Sequence, residues 1–278
     1  MGIEVRPLTP QIGAEVFGVD VTKPMGNADF DAVHQALLDH SIIVFREQPL
    51  NDDQLMGLGR QFGPLIVHPF LQNDGPNPEV IHIKREPQDE AIVGQEWHSD
   101  TTCIDTPPLA GVLHCIETPK AGGDTLFASQ YKAYETLSDG MKAMLDGMIA
   151  VHNDTRVAGP QSGVNGKRAN RVRDDAEWKP SSAEHPVVRT HPETGRKGLF
   201  VNISYTRHFK GMTEEESAPL LNFLYRHAVR PEFTCRVQWR PGSTVIWDNR
   251  CVKHLAVHDC GPHRREMHRV QVAGDRPY

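Results

Sequence analysis

The chain has 278 residues, 38% of them hydrophobic and 24% charged, with a formal net charge of −6. This is a globular composition, which excludes disorder as the main state. An acidic chain without a basic block is not a nucleic-acid binder of the electrostatic kind, and no apolar run approaches the ~20 residues of a membrane-spanning helix. From the N-terminus, residues 29–40 carry Phe30, Val33, Leu37 and Leu38 at helical spacing. Asn51 is placed to cap a second helix running to Phe62, with Gly63 as its stop and Pro64 beyond. Strand-like runs then dominate, at 80–84, 109–116, 187–190, 199–203, 234–239 and 244–247. Between them Thr213, with Glu216 three residues on, forms a capping box ahead of Leu220, Leu221, Leu224 and Tyr225.

Alternating βαβ spacing is missing, so a doubly wound sheet is not expected. A mainly β, two-sheet antiparallel sandwich or jelly roll with flanking helices is expected, its core holding Trp239 and Trp247. Residues 156–183 mix Gly, Pro and Asn with Arg156, Lys167, Arg168, Arg171, Arg173 and Lys179. A stretch this long is either functional or a solvated insert. Five cysteines, odd in number and without C-x-x-C, predict reduced thiols and a cytoplasmic protein.

No P-loop, nucleophile elbow or dinucleotide fingerprint is present. The candidates for chemistry are two H-x-D pairs, His98/Asp100 and His152/Asp154. On a strand, residues two apart share a face, so imidazole and carboxylate converge as two corners of a metal site. Chance alone supplies about one such pair in a chain with 15 histidines and 19 aspartates, so spacing does not choose between them. The plain alternative for either is a hydrogen bond at the edge of the core. A third ligand has to come from elsewhere, and His254, His258, His263 and His268 crowd one segment. His254 and His258 would pair only on a helix, whereas their surroundings read as strand and turn. Arg265 and Arg269 share one face of a strand, where two guanidiniums need anions, either ligands or protein carboxylates such as Glu266 and Asp275.

The ordered blocks Arg60-Gln61-Phe62-Gly63-Pro64, Trp97-His98-Ser99-Asp100, Gly122-Gly123-Asp124-Thr125, Trp247-Asp248-Asn249-Arg250, His254 and the run from Arg264 to Arg269 resemble the taurine dioxygenase / 2,4-D dioxygenase (TauD/TfdA) family. The likeness covers nearly the whole chain as one dioxygenase domain. It implies a double-stranded β-helix fold, Fe(II) as metal and 2-oxoglutarate as co-substrate. It assigns His98, Asp100 and His254 as metal ligands, and Thr125 and Arg265 to 2-oxoglutarate. Arg269 is assigned to the anionic group of a small substrate, and 156–183 becomes a variable lid. The implied reaction hydroxylates that substrate with O2, releasing succinate and CO2. His68 and Tyr205 match pocket positions. Leu71 and Gly94 replace the taurine enzyme's Tyr and Asn, which argues against taurine and for an aryloxyalkanoate or an alkyl sulfate or sulfonate. Family members are commonly dimers or tetramers. The competing readings are a zinc hydrolase built on His254, His258 and a carboxylate, and a non-catalytic metal-binding jelly roll.

Overall fold

The longest β-rich run of the sequence, 109–116, becomes a central strand of one large sheet. The structure is a computed structural model that describes residues 2–72, 75–172 and 178–278. In chain order the elements are β1 (Glu4–Pro7), β2 (Ala14–Phe17), α1 (Asn27–His40), β3 (Ile42–Phe45), α2 (Asp52–Phe62), β4 (Leu65–Ile66), β5 (Ile81–Arg85), β6 (Ala110–Glu117) and β7 (Thr125–Ser129). Then come α3 (Gln130–Glu135), α4 (Asp139–Leu145), β8 (Ile149–Asn153), β9 (Ser182–Pro186), β10 (Val188–Thr190), β11 (Lys197–Leu199) and β12 (Thr206–Phe209). The chain closes with α5 (Glu214–His227), β13 (Thr234–Val237), β14 (Thr244–Asp248), β15 (Val252–Ala256) and β16 (Arg265–Val272).

The large sheet has the order β1-β2-β3-β14-β6-β16-β4, with β5 also on β16. The long β16 carries β5 along its Arg265–Arg269 half and β4 at its far end. A second sheet, β13-β7-β15, faces it. Side chains of both sheets interdigitate: Val44, Leu113, Val245, Trp247 and Met267 from the large one, Phe127, Cys235 and Val237 from the small one, with Trp239 beside them. This is the jelly-roll core, and both expected tryptophans are in it. On the outer face of the large sheet α1 and α2 bury Val33, Leu37, Leu55 and Leu58 against Ile43, Val112 and Val270. A further sheet, β12-β8-β9, stands apart, and α5 covers a separate apolar cluster that includes Phe209 and Leu221.

The predicted Asn51 cap and the predicted Thr213 capping box both form, and the Asn51 cap is itself a reciprocal box. Asn51 accepts the Gln54 N–H at 2.9 Å while Gln54 accepts the Asn51 N–H at 3.0 Å; Thr213 and Glu216 do the same at 3.2 and 2.8 Å. These bonds satisfy amide donors that a helix start leaves unpaired. Two expectations need correction. The run 199–203 is not a strand: the strand ends at Leu199, and the chain turns where Asn202 accepts from the Tyr205 N–H at 3.0 Å. His98-Ser99-Asp100 is not on a strand either; it is a loop with a single bridge, His98 to His254. The stretch 156–183 has little regular structure, one 3₁₀ turn at Pro160–Ser162 and the start of β9. Its Arg173, with the rest of 173–177, lies outside the described residues.

Candidate metal and co-substrate site

The first ring of contacts is made by backbone. The loop carrying His98 pairs with β15 through two bonds, His98 N to His254 O at 3.0 Å and His254 N to His98 O at 2.8 Å. Ser99 Oγ adds a bond to Val252 O at 2.8 Å. The turn after β14 supplies the third tie: Asn249 Oδ1 accepts the Asp100 N–H at 2.7 Å and its amide donates to Asp100 O at 3.2 Å. Convergence therefore comes from pairing with a strand some 150 positions away, not from the i, i+2 alternation that the spacing suggests.

The result is a buried cluster in which His98, Asp100 and His254 each present a ligand atom, all within 4.8 Å of one another. Asp100 Oδ1 lies 3.6 Å from His98 Nε2 and 3.8 Å from His254 Nε2. His98 Nδ1 donates to Glu96 O at 2.7 Å, which leaves the Nε2 lone pair aimed inward. The His254 ring is held against Trp247, with centroids 4.8 Å apart. Burial by itself raises the Asp100 carboxyl, but Arg269, whose Nη1 is 3.2 Å from Oδ1, and the two imidazoles outweigh it and hold the group well below the usual range. Burial, reinforced by the neighbouring His98, holds His254 well below its ordinary value, so it is neutral. Asp100 Oδ2 is buried with no hydrogen-bond partner. Two imidazoles and an ionised carboxylate with an unspent oxygen form a donor set suited to a divalent iron.

Two other groups bring metal-binding residue types together, Asp52/His82/His268 and His191/Asp248/Cys251. In both, the carboxylate is already used. Asp52 bonds His268 at 2.5 Å and His82 at 3.0 Å through separate oxygens. Asp248 holds the Arg250 guanidinium at 2.8 and 2.6 Å and His191 at 2.9 Å. Burial also pushes the Cys251 thiol up to about 12. His258 is exposed beyond β15 and joins no such group among the described residues. The three-residue zinc site of the hydrolase reading is not assembled.

Two cavities meet at His98 and Arg269. One is lined by Thr125, Phe127, Trp247, His254 and Arg265. Arg265 is buried and makes no ion pair among the described residues; its Nε donates to Gly123 O at 3.0 Å, which leaves both Nη groups for a ligand. Gly123 is required here. Its φ is +71°, and a Cβ would come within 2.9 Å of Cys260 Sγ and 3.1 Å of the Arg265 side chain. Thr125 Oγ1 accepts from Trp239 Nε1 at 2.9 Å, so its own O–H is available to donate. The carboxylates suggested for Arg265 and Arg269 are engaged otherwise: Glu266 pairs with Arg264 and Asp275 with Arg189.

The other cavity is lined by His68, Leu71, Gly94, Tyr205, Arg269 and Arg168 among others. All five sequence-derived pocket positions thus line one space. His68 Nδ1 accepts the N–H groups of Phe70 and Leu71 at 3.3 and 3.0 Å. Burial, then Arg269, push its pKa down to about 3. The ring is neutral with its proton on Nε2, a donor. Gly94 has φ +78°, and a Cβ would stand 3.1 Å from His98 Cε1. Sequence reasoning did not single out Asn249, although it sits inside the W-D-N-R block; nothing in its residue type tells that its amide grips Asp100. Arg168 was read only as part of a basic stretch.

The sequence model of the family described as "Taurine catabolism dioxygenase TauD, TfdA family" matches residues 4–271. The chain belongs to this family and is a dioxygenase of it. An alkylsulfatase of Acinetobacter baylyi is 33% identical, over 98% of this chain and 86% of the relative. An alpha-ketoglutarate-dependent sulfate ester dioxygenase of Pseudomonas putida is 32% identical, over 99% and 91%. The solved structure of a taurine dioxygenase from Burkholderia xenovorans superposes with a TM-score of 0.83 at 35% identity, covering 99% of this chain and 90% of that one.

Proposed function

We propose that His98, Asp100 and His254 hold Fe(II), that Arg265 and Thr125 hold 2-oxoglutarate, and that Arg269 with His68 receives the anionic group of a small organic substrate. The enzyme is a 2-oxoglutarate-dependent dioxygenase. The observation that carries this reading is the unspent Asp100 oxygen between two inward-facing imidazoles, with an unpaired buried arginine in the adjoining cavity. Bound iron supplies O2 activation coupled to oxidation of 2-oxoglutarate to succinate and CO2. The protein's own residues do the positioning.

The Arg265 Nη groups and the Thr125 hydroxyl together offer the fork and the extra donor that suit the distal carboxylate. Arg269 has one nitrogen on Asp100, which leaves the rest of its fork for a sulfate, sulfonate or carboxylate. Neutral His68 adds an Nε2–H donor without further charge. The apolar wall of Phe70, Leu71, Val157, Val164 and Val172 suits an alkyl or aryl body. The similarity to two sulfate-ester-processing relatives supports an alkyl sulfate or sulfonate, with an aryloxyalkanoate in the same class. Hydroxylation of the carbon bearing the sulfate oxygen gives a hemiacetal that collapses to an aldehyde and sulfate. The other atom of O2 enters succinate. The test is succinate release across a panel of alkyl sulfates, sulfonates and aryloxyalkanoates. Release that requires Fe(II), 2-oxoglutarate and O2 and rises with one of these classes supports the proposal; release unaffected by every one of them contradicts it.

We also propose a cytoplasmic homodimer or homotetramer. Five free, buried cysteines support a reducing compartment, and no described helix is long and apolar enough to cross a membrane. A monomer in sedimentation would contradict the assembly.

A further inference from the structure

Among the described residues, Arg168 is the one guanidinium of the substrate cavity that the proposed reaction does not use and that no protein group occupies. Arg269 is shared with Asp100, and Arg156 donates through Nη1 to Ile203 O at 2.8 Å. Arg168 makes no hydrogen bond and no ion pair among the described residues, and its Nε is buried without a partner. The cavity that it lines also presents Tyr205, Val157, Val164, Val172 and the exposed Glu96, and Arg269 lines the same space. A half-buried guanidinium with its Nε shut away from solvent beside apolar side chains is costly unless an anion accompanies it. Burial already disfavours its charge here.

We propose that Arg168 forms a second anion subsite in the substrate cavity, for a carboxylate at the far end of a substrate whose first anion sits on Arg269. This rests on the functional reading above and narrows it: the preferred substrate is anionic at both ends, with a short apolar spacer lying along Val157, Val164 and Val172. A plain alkyl tail would leave Arg168 as unpaired as it is now, whereas a terminal carboxylate accepts from its planar fork.

The test is calorimetric titration of the anaerobic enzyme loaded with Fe(II) and 2-oxoglutarate, using a matched pair of ligands, hexyl sulfate and 6-sulfooxyhexanoate. Wild type is expected to bind the dianion at least ~10-fold more tightly, the scale of one charged hydrogen-bonded contact. Arg168→Gln is expected to bind the two equally while its hexyl sulfate affinity stays within about twofold of wild type, which also shows that the variant is folded. Arg168→Lys keeps part of the preference. Equal binding by wild type, or loss of both ligands together in Arg168→Gln, overturns the subsite and leaves the Arg269 reading standing. Failure of wild type to bind either ligand overturns both.

Discussion

The chain carries H-x-D twice, at His98/Asp100 and at His152/Asp154, and the two pairs end in different surroundings. Both are buried. His152 turns its Nδ1 to the hydroxyls of Thr102 and Thr206 at 3.0 and 3.3 Å and packs its ring against His185. Asp154 lies past the end of β8; its carboxylate accepts the Ser181 N–H at 3.1 Å while its carbonyl caps the turn to Val157 and Ala158. Among the described residues no cation pairs with Asp154, and burial pushes its carboxyl up to about 6. Asp100 has Arg269 at 3.2 Å and stays ionised. The spacing is the same in both. What separates them is a second imidazole delivered by β15, a guanidinium delivered by β16, and a carboxylate oxygen left unspent.

The sharpest way to break this comparison is to make the same substitution in both pairs. Asp100→Asn is expected to lower kcat/KM by at least ~10³-fold, about 4 kcal/mol of transition-state stabilisation. Asp154→Asn is expected to stay within about threefold of wild type. Comparable losses in succinate formation for the two variants would mean the pairs are not different in kind. Next in size is Arg265→Ala, expected to weaken 2-oxoglutarate by about a hundredfold, because a buried charged contact is removed from one partner only. Iron content measured in the same preparation should not change. A third variant tests the grip on Asp100. Asn249→Ala is expected to cost ~10- to 100-fold in iron affinity, the usual effect of releasing a residue that orients a metal ligand, and a metal-competition titration reads it directly.

Much of this contrast was legible in the sequence, and the part that was not has a physical reason. Strand-forming composition located β5, β6, β13 and β14 of the two sheets but not β1 to β4 or β7, and even spacing put Arg265 and Arg269 on one face of β16, where both line one cavity. The resemblance chose the pair that lies beside His254 in the fold. The sequence did not show why that pair assembles, because His98 and Asp100 converge through a non-local bridge to β15 and an Asn249 amide, and neither leaves a local pattern. For the same reason, reading 199–203 as a strand failed: β propensity is overridden where Asn202 bonds back into a turn. The short helices α3 and α4 start on Ser129 and Ser138 caps and are too brief to show helical periodicity.

The smallest expected effect is on stability. The Asp154 carboxyl is raised to about 6 in the folded protein from its ordinary value of 3.8, so the native state binds more protons between those values. Its contribution to stability is therefore lost as pH rises through that window, and the penalty is fully present above about 6. Asp154→Asn removes the charge and is expected to be more stable at pH 7 by the order of 1–2 kcal/mol, with no gain at pH 3. Denaturant unfolding of both proteins at the two pH values checks this.

The central claim is that three side chains from distant stretches of chain share one ferrous ion beside 2-oxoglutarate. Mixing the protein with Fe(II) and 2-oxoglutarate under anaerobic conditions and recording its visible absorption tests it most directly. The account predicts a metal-to-ligand charge-transfer band in wild type and in Asp154→Asn, and none in His254→Ala or Asp100→Ala. No band in wild type, or an undiminished band in either ligand variant, would contradict it.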